Sequence, residues 1–182
     1  MIGDDCISYS KVVKNVGVWL DQHLDMNKQI NNIVSQSYKS LQNIGRVRNI
    51  LTNKHTEMLV HSVMSRLDYC NSLLFNISKS KLLKLQKVQN AAARLVVRVK
   101  KRTSISATIK KLHWLRVESR IVFKVLLLMY KLIHGQCAKI IEIKYKTHNC
   151  RPQDYLLLET RKVKTKYGKR AFSYVGPLDP KA

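Results

Sequence analysis

With 182 residues, the chain is long enough for one domain, or one domain with an appendage. It is 45% hydrophobic, which provides a core and excludes a chain disordered by composition. Its 34 Lys and Arg against 11 Asp and Glu give a net charge of +23, an excess that repels itself in a compact monomer and attracts a polyanion.

The four cysteines, Cys6, Cys70, Cys137 and Cys150, form no C-x-x-C pair, and Asp4 and Asp5 interrupt any apolar leader. They read as reduced thiols of an intracellular chain. The longest apolar run, Ile121 to Ile133, is interrupted by Lys124. A membrane span needs roughly 20 apolar residues, so a buried helix is expected there and no membrane partner. All three Pro follow Cys150, which leaves everything before that point free to be helical.

Taken in order, residues 1–26 are expected to form a β-hairpin. Cys6-Ile7-Ser8-Tyr9, Val12-Val13 and Val16-Gly17-Val18-Trp19-Leu20 are β-branched and aromatic runs bounded by turn residues. Gly3-Asp4-Asp5 has the letters of a polymerase metal motif, but no strand precedes it and the next carboxylate is Asp21; it reads as a turn. Residues 27–146 are expected to form a helical bundle. Ile30, Ile33, Val34, Ser37, Tyr38, Leu41, Ile44 and Val47 keep helical spacing within Asn27 to Leu51. Gly45 weakens that helix, and Thr52-Asn53 ends it and caps the next. A second helix runs from His55 to Leu67 with Met58, Leu59, Val63 and Met64 inward, and His61 reads as a packed or boundary histidine. Leu67 to Ile77 forms a corner or a short helix.

Ser78 to Arg102 is the stretch around which the chain is organised. Leu82, Leu85, Val88, Gln89, Ala92, Leu95, Val96 and Val99 recur at three- and four-residue steps and form the core face. Ser78 or Ser80 caps its start. Lys87, Arg94, Arg98 and Lys101 fall on the opposite side. From Tyr69 to Val117 there are 12 Lys and Arg and no acid, whereas an ordinary solvated face mixes both signs. Lys87, Arg94, Arg98, Lys100, Lys101, Arg102, Lys110 and Lys111 are therefore the candidate nucleic-acid-binding residues, neutralising phosphates without reading sequence. Gln86, Gln89 and Asn90 add contacts or, as buried amides, bond to backbone. Thr103-Ser104 caps a short helix, Ile105 to Leu112, and His113-Trp114-Leu115 breaks the pattern. Glu118 to His134 is apolar nearly all round, which calls for neighbours on several sides, and Gly135 is its C-cap.

Residues 147–182 are expected to be an extended basic tail with strand-like runs at Tyr155-Leu156-Leu157-Leu158, Val163-Lys164-Thr165 and Phe172-Ser173-Tyr174-Val175. Six bases and no acid lie between Arg161 and Arg170. His134, Cys137, His148 and Cys150 are spaced H-x₂-C-x₁₀-H-x-C, too tight at the second pair for a structural zinc site. No catalytic site and no metal site emerge. The fold class is mainly α, a helical bundle with a short N-terminal hairpin.

Five segments, in order, resemble one family. Val13-Lys14-Asn15-Val16-Gly17-Val18-Trp19-Leu20-Asp21 is similar to the stretch that ends the palm in reverse transcriptases of non-LTR (LINE) retrotransposons, jockey-like lineages especially. Leu67-Asp68-Tyr69-Cys70-Asn71 and Leu85-Gln86-Lys87-Val88-Gln89-Asn90-Ala91-Ala92-Ala93-Arg94-Leu95 resemble their L-D-Y-C-N and L-Q-x-V-Q-N-x-A-A-R. Leu112-His113-Trp114-Leu115-Arg116-Val117 with Arg120-Ile121-Val122-Phe123-Lys124 is similar to L-H-W-L-P-V…R-I-x-F-K, with Arg116 where the family usually has Pro. Tyr167-Gly168-Lys169-Arg170-Ala171-Phe172 and Gly176-Pro177 resemble the G-x-R-A-F…P ending.

The resemblance implies the end of the palm, the thumb and the helical region after it, which hold a template–primer duplex. The polymerase carboxylates have no counterpart here, so it implies a partial copy that does not polymerise alone. It needs no cofactor itself, Mg²⁺ being implied only for the complete RNA-directed DNA polymerase, and the palm and fingers would be partners in a longer product. The alternatives are a non-functional relic of a mobile element and a protein-interaction helical bundle.

Overall fold

Val16 and Gly17 both have positive φ, 44° and 81°, as a two-residue hairpin turn of the right twist requires. The structure, a computed structural model, describes residues 9–100, 102–136, 162–165 and 167–175. Strands β1 (Val12–Asn15) and β2 (Val18–Asp21) pair antiparallel across that turn, Asn15 opposite Val18 and Val12 opposite Asp21. Helices α1 (Asn27–Val47), α2 (Asn53–Asp68), α3 (Lys79–Val97), α4 (Ile105–Lys111) and α5 (Val117–Ile133) follow. A 3₁₀ turn, Asn71–Leu74, lies between α2 and α3, and a second, Gly168–Arg170, precedes the one-turn α6 (Phe172–Val175). The protein is mainly helical with a short N-terminal hairpin, as its periodicities predict. Among the described residues, no helix is long and apolar enough to cross a membrane.

Two units divide the chain, one of residues 1–70 and 77–117 and the other of residues 71–76 and 118–182. In the first, α3 packs against α1, α2 and α4. Leu85, Val88, Gln89, Ala92 and Val96 are buried, as the spacing predicts, and Ala93 joins them. Leu82, Leu95 and Val99 are only half-buried. Opposite them lie Ile30, Ile33, Leu41 and Ile44 of α1 and Val60, Val63, Met64 and Leu67 of α2. The hairpin is tied to this core by Gln29, whose side chain accepts from Trp19 N at 3.1 Å, and by the Tyr69 hydroxyl, which donates to Val16 O at 2.6 Å. Asp21 accepts from the backbone N–H groups of Asp25 (2.7 Å) and Asn27 (3.2 Å), so it holds the entry to α1 from the strand end.

Caps follow the predicted positions in part. Thr52 accepts from His55 N at 3.2 Å and starts α2. Ser78 and Ser104 stand at the N-caps of α3 and α4, but neither side chain bonds a backbone N–H; Ser78 turns to Ser80 instead. Gly135, φ 65°, closes α5 by bonding Leu132 O, while Gln136 N reaches back to Lys131 O. That pair of bonds is the Schellman arrangement. His113, φ 54°, closes α4 in the same way.

Several expectations are corrected. Val16-Gly17 is a turn and not strand, because two positive φ values cannot continue a pleat. The central helix stops at Val97, since Arg98 adopts φ 56°, so Val99, Lys100 and Arg102 lie beyond it. In α2 the buried stripe is Thr56, Val60, Val63 and Leu67; Met58 points away from it and Leu59 lies at its edge, 63% and 42% exposed. Apolar character round α5 does not bring burial all round: Ile121, Val125 and Met129 form one buried stripe, and Phe123, Leu126 and Tyr130 are exposed. Val163–Thr165 is not a strand, and Phe172–Val175 is helical because Tyr174 and Val175 bond back to Ala171 O. In the second unit, Gly168 sits so close to Val163 that a Cβ would lie 2.0 Å from its side chain, and Arg170 donates to Leu73 O at 3.0 Å. Gly3-Asp4-Asp5, Cys6–Ser8, Lys101, Cys137, His148, Cys150, Tyr155–Leu158 and Gly176-Pro177 lie outside the described residues.

Two outcomes follow for stability. Val16 is 79% exposed and β-branched at positive φ. Val16→Asn therefore relieves strain at no packing cost and is expected to stabilise the protein by about 1 kcal/mol in urea denaturation. Leu85 is 1% exposed, and Leu85→Asp is expected to abolish cooperative thermal unfolding, because burying a carboxylate costs several kcal/mol against a total of about 5–15. A wild-type melting curve for Leu85→Asp would place the core on another face.

Candidate nucleic-acid interface

A helix leaves its last carbonyls without intrahelical partners. At the end of α3 those of Leu95 and Val96 are taken by Arg48, which follows α1, through Nε and Nη2 at 2.8 Å each. The same guanidinium donates to Leu51 O at 2.8 Å and to the Asn53 side chain. Arg98 answers in the other direction, donating from Nη2 to Arg48 O at 2.8 Å and to Leu51 O at 3.3 Å. The ends of α1 and α3 are thus clasped by reciprocal arginines. Arg48 is 5% exposed and pairs with no carboxylate among the described residues. Burial, and then the neighbouring Arg98 charge, push its pKa below the ordinary value. A guanidinium starts so far above neutrality that it stays charged. Its desolvation is offset by the four oxygens and by the negative end of the α3 dipole.

The clasp sets α1 and α3 side by side, running in the same direction. Lys84 reaches Asn31 near their starts at 3.4 Å, and Gly45 approaches Leu95 near their ends. Between the two helices lies a groove of about 740 Å³, lined by Tyr38 of α1 and by Lys87, Asn90, Ala91, Arg94 and Leu95 of α3, with Val99 beyond. Lys87 is exposed and Arg94 half-buried, and the Arg94 Nε is enclosed with no hydrogen-bond acceptor among the described residues. Neither pairs with a carboxylate among the described residues. Two acids near the start of α1 are occupied elsewhere: Asp21 holds the α1 entry, and Asp25 pairs with Lys81 at 3.3 Å.

The amides of α3 do structural work and also set the polarity of the groove. Val117 N–H donates to Gln86 Oε1 at 3.0 Å, and Gln89 Nε2 donates to Leu115 O at 2.7 Å. A backbone N–H only donates and a carbonyl only accepts, so both amide orientations are fixed. Gln86 Nε2 then donates to Gln89 Oε1 and to Asn90 Oδ1, each at 2.9 Å. Asn90 spends its oxygen on Gln86 and keeps its NH₂ as a donor. Backbone bonding for Gln86 and Gln89 agrees with the buried-amide expectation.

The eight predicted site residues are not one cluster. Lys87 and Arg94 share the groove. Arg98 serves the clasp. Lys100 and Arg102 are exposed in the connection after α3, and Lys110 and Lys111 are exposed in the last turn of α4, where cations suit the helix end. Lys101 is outside the described residues. Tyr38 and Arg48 were not among the predicted site residues. Tyr38 belongs to the apolar spacing of its helix, and its place in the groove depends on the pairing of α1 with α3. No group of three or more His, Cys, Asp or Glu among the described residues could hold a metal ion.

Arg48→Met keeps the length of the side chain but strands the carbonyls of Leu95 and Val96, and is expected to cost about 3 kcal/mol in urea denaturation. Arg98→Ala is expected to cost about 1 kcal/mol, because Leu51 O keeps Arg48, and Lys87→Ala to stay within about 0.5. An Arg48→Met protein as stable as wild type would remove the clasp from this account. No family model matches the chain, and no curated protein or solved structure does either.

Proposed function

We propose that the protein is a nucleic-acid-binding helical part of a non-LTR retrotransposon RNA-directed DNA polymerase. It holds the phosphate backbone of a template–primer duplex, and the chemistry belongs to the palm and fingers of the complete enzyme. The observation that carries the reading is the α1–α3 groove. Its polar lining is contributed by Lys87, Asn90 and Arg94, and no described carboxylate pairs with either cation. A donor-lined, acid-free surface in a chain of net charge +23 suits phosphate oxygens. Lys100, Arg102, Lys110 and Lys111 add exposed cations outside the groove.

Origin in that family is supported by how the resembling segments meet. Tyr69 of Leu67-Asp68-Tyr69-Cys70-Asn71 bonds Val16 O and packs where a Gly17 side chain would be, 3.6 Å from its Cβ position. Gln86 and Gln89 of the α3 segment bond the backbone of Val117 and Leu115 in the Leu112–Val117 segment. Signature residues of four of the five segments thus bond one another within the first unit.

The test compares salt dependence. Lys87, Arg94 and Lys100 replaced together by Ala are expected to leave helical circular dichroism intact and to lower the slope of log affinity against log salt by about one per residue, for any duplex sequence. Arg98 stays unchanged, because its loss would disturb the clasp. An unchanged slope would move the interface away from this face, with Lys162 to Arg170 next to be replaced. Binding indifferent to salt would favour a protein-contact reading, to which the exposed Phe123, Leu126 and Tyr130 would then belong.

A further inference from the structure

A duplex carries its phosphates on the outside and its bases within, so it offers a surface groove chiefly phosphates. The groove between α1 and α3 offers more than phosphate ligands. Tyr38 stands in its wall, 42% exposed, and its hydroxyl has no partner among the described residues. Ala91 leaves space at the floor, and Leu95 and Val99 line the groove with apolar surface. The groove is open along its length, with about 740 Å³ of space, which suits a strand laid across it. Aromatic stacking beside a cationic track is how single strands are held, because every base has a π-face. The pairing of α1 with α3 brings Tyr38 to Lys87 and Arg94.

We propose that this groove seats a single-stranded nucleotide, its base against Tyr38 and its flanking phosphates on Lys87 and Arg94. Asn90, held with its NH₂ free by the Gln86 bond, donates to the sugar–phosphate backbone. A duplex meets the groove's cations by phosphate contact alone, whereas an unpaired strand also seats a base against Tyr38. The proposal rests on the nucleic-acid reading above and adds a preference within it.

The test uses the full chain, a short fluorescein-labelled oligothymidylate, and the same strand annealed to oligodeoxyadenylate, with anisotropy followed over a salt series. Tyr38→Ala is expected to weaken single-strand binding about ten-fold, to change duplex binding by no more than about two-fold, and to leave both salt slopes unchanged. Tyr38→Phe is expected to bind the single strand as wild type does. Should Tyr38→Ala unfold, Tyr38→Leu keeps the apolar bulk without the ring face and is expected to show the same selective loss. Equal weakening on both ligands, or none on either, overturns the single-strand seat and leaves the phosphate reading standing. A wild-type protein that binds neither ligand overturns both.

Discussion

A guanidinium withdrawn from water between two helix ends is the constraint on which the first unit depends. Arg48 replaces lost hydration with oxygens from Leu95, Val96, Leu51 and Asn53, and Arg98 returns bonds to the turn that ends α1. A buried charge without oxygen partners would cost several kcal/mol, so the arrangement tolerates little slippage. One turn of displacement between α1 and α3 would carry the Leu95 and Val96 carbonyls out of reach. The clasp therefore fixes the register of the two helices as well as their proximity. That register puts Tyr38 in the same groove as Lys87 and Arg94.

The second constraint is the polarity of an amide chain. Val117 N–H and Leu115 C=O, both on the segment between α4 and α5, orient Gln86 and Gln89, and these orient Asn90. A bond that serves packing at one end thus decides chemistry at the other, because the groove receives an NH₂ in place of an oxygen. Together with two cations, this makes the polar lining a set of donors. Such a surface suits phosphate and repels no part of a nucleotide backbone.

Much of the fold was legible in the sequence. The three- and four-residue spacing of Leu85, Val88, Ala92 and Val96 defines a buried stripe without any knowledge of neighbours, and Gly135 after an apolar run gives a helix end. Periodicity fails where two faces compete. Met58 is apolar but lies opposite the stripe set by Val60, Val63 and Leu67. Phe123 and Tyr130 are apolar on a helix whose burial is one-sided. Arg98 ends the central helix at a position where nothing in local composition announces a left-handed residue. The stop becomes intelligible once Arg48 is seen to supply the carbonyl partners that a glycine C-cap would otherwise supply. The candidate site was half legible. Charge asymmetry pointed to Lys87 and Arg94, but Tyr38 and Arg48 enter through contacts between α1 and α3, and no spacing within one helix reports those.

The central claim is that phosphate ligands occupy the donor-lined groove. Amide-detected nuclear magnetic resonance of the ¹⁵N-labelled protein, titrated with a short oligonucleotide, reads it most directly, because Arg94 Nε–H and Asn90 Nδ2–H₂ give side-chain signals of their own. The account predicts that those two signals shift together with the backbone amides of Tyr38 and Lys87, and that added salt reverses the shifts. Shifts confined to Lys162–Val175 with Arg94 and Asn90 unmoved would contradict it.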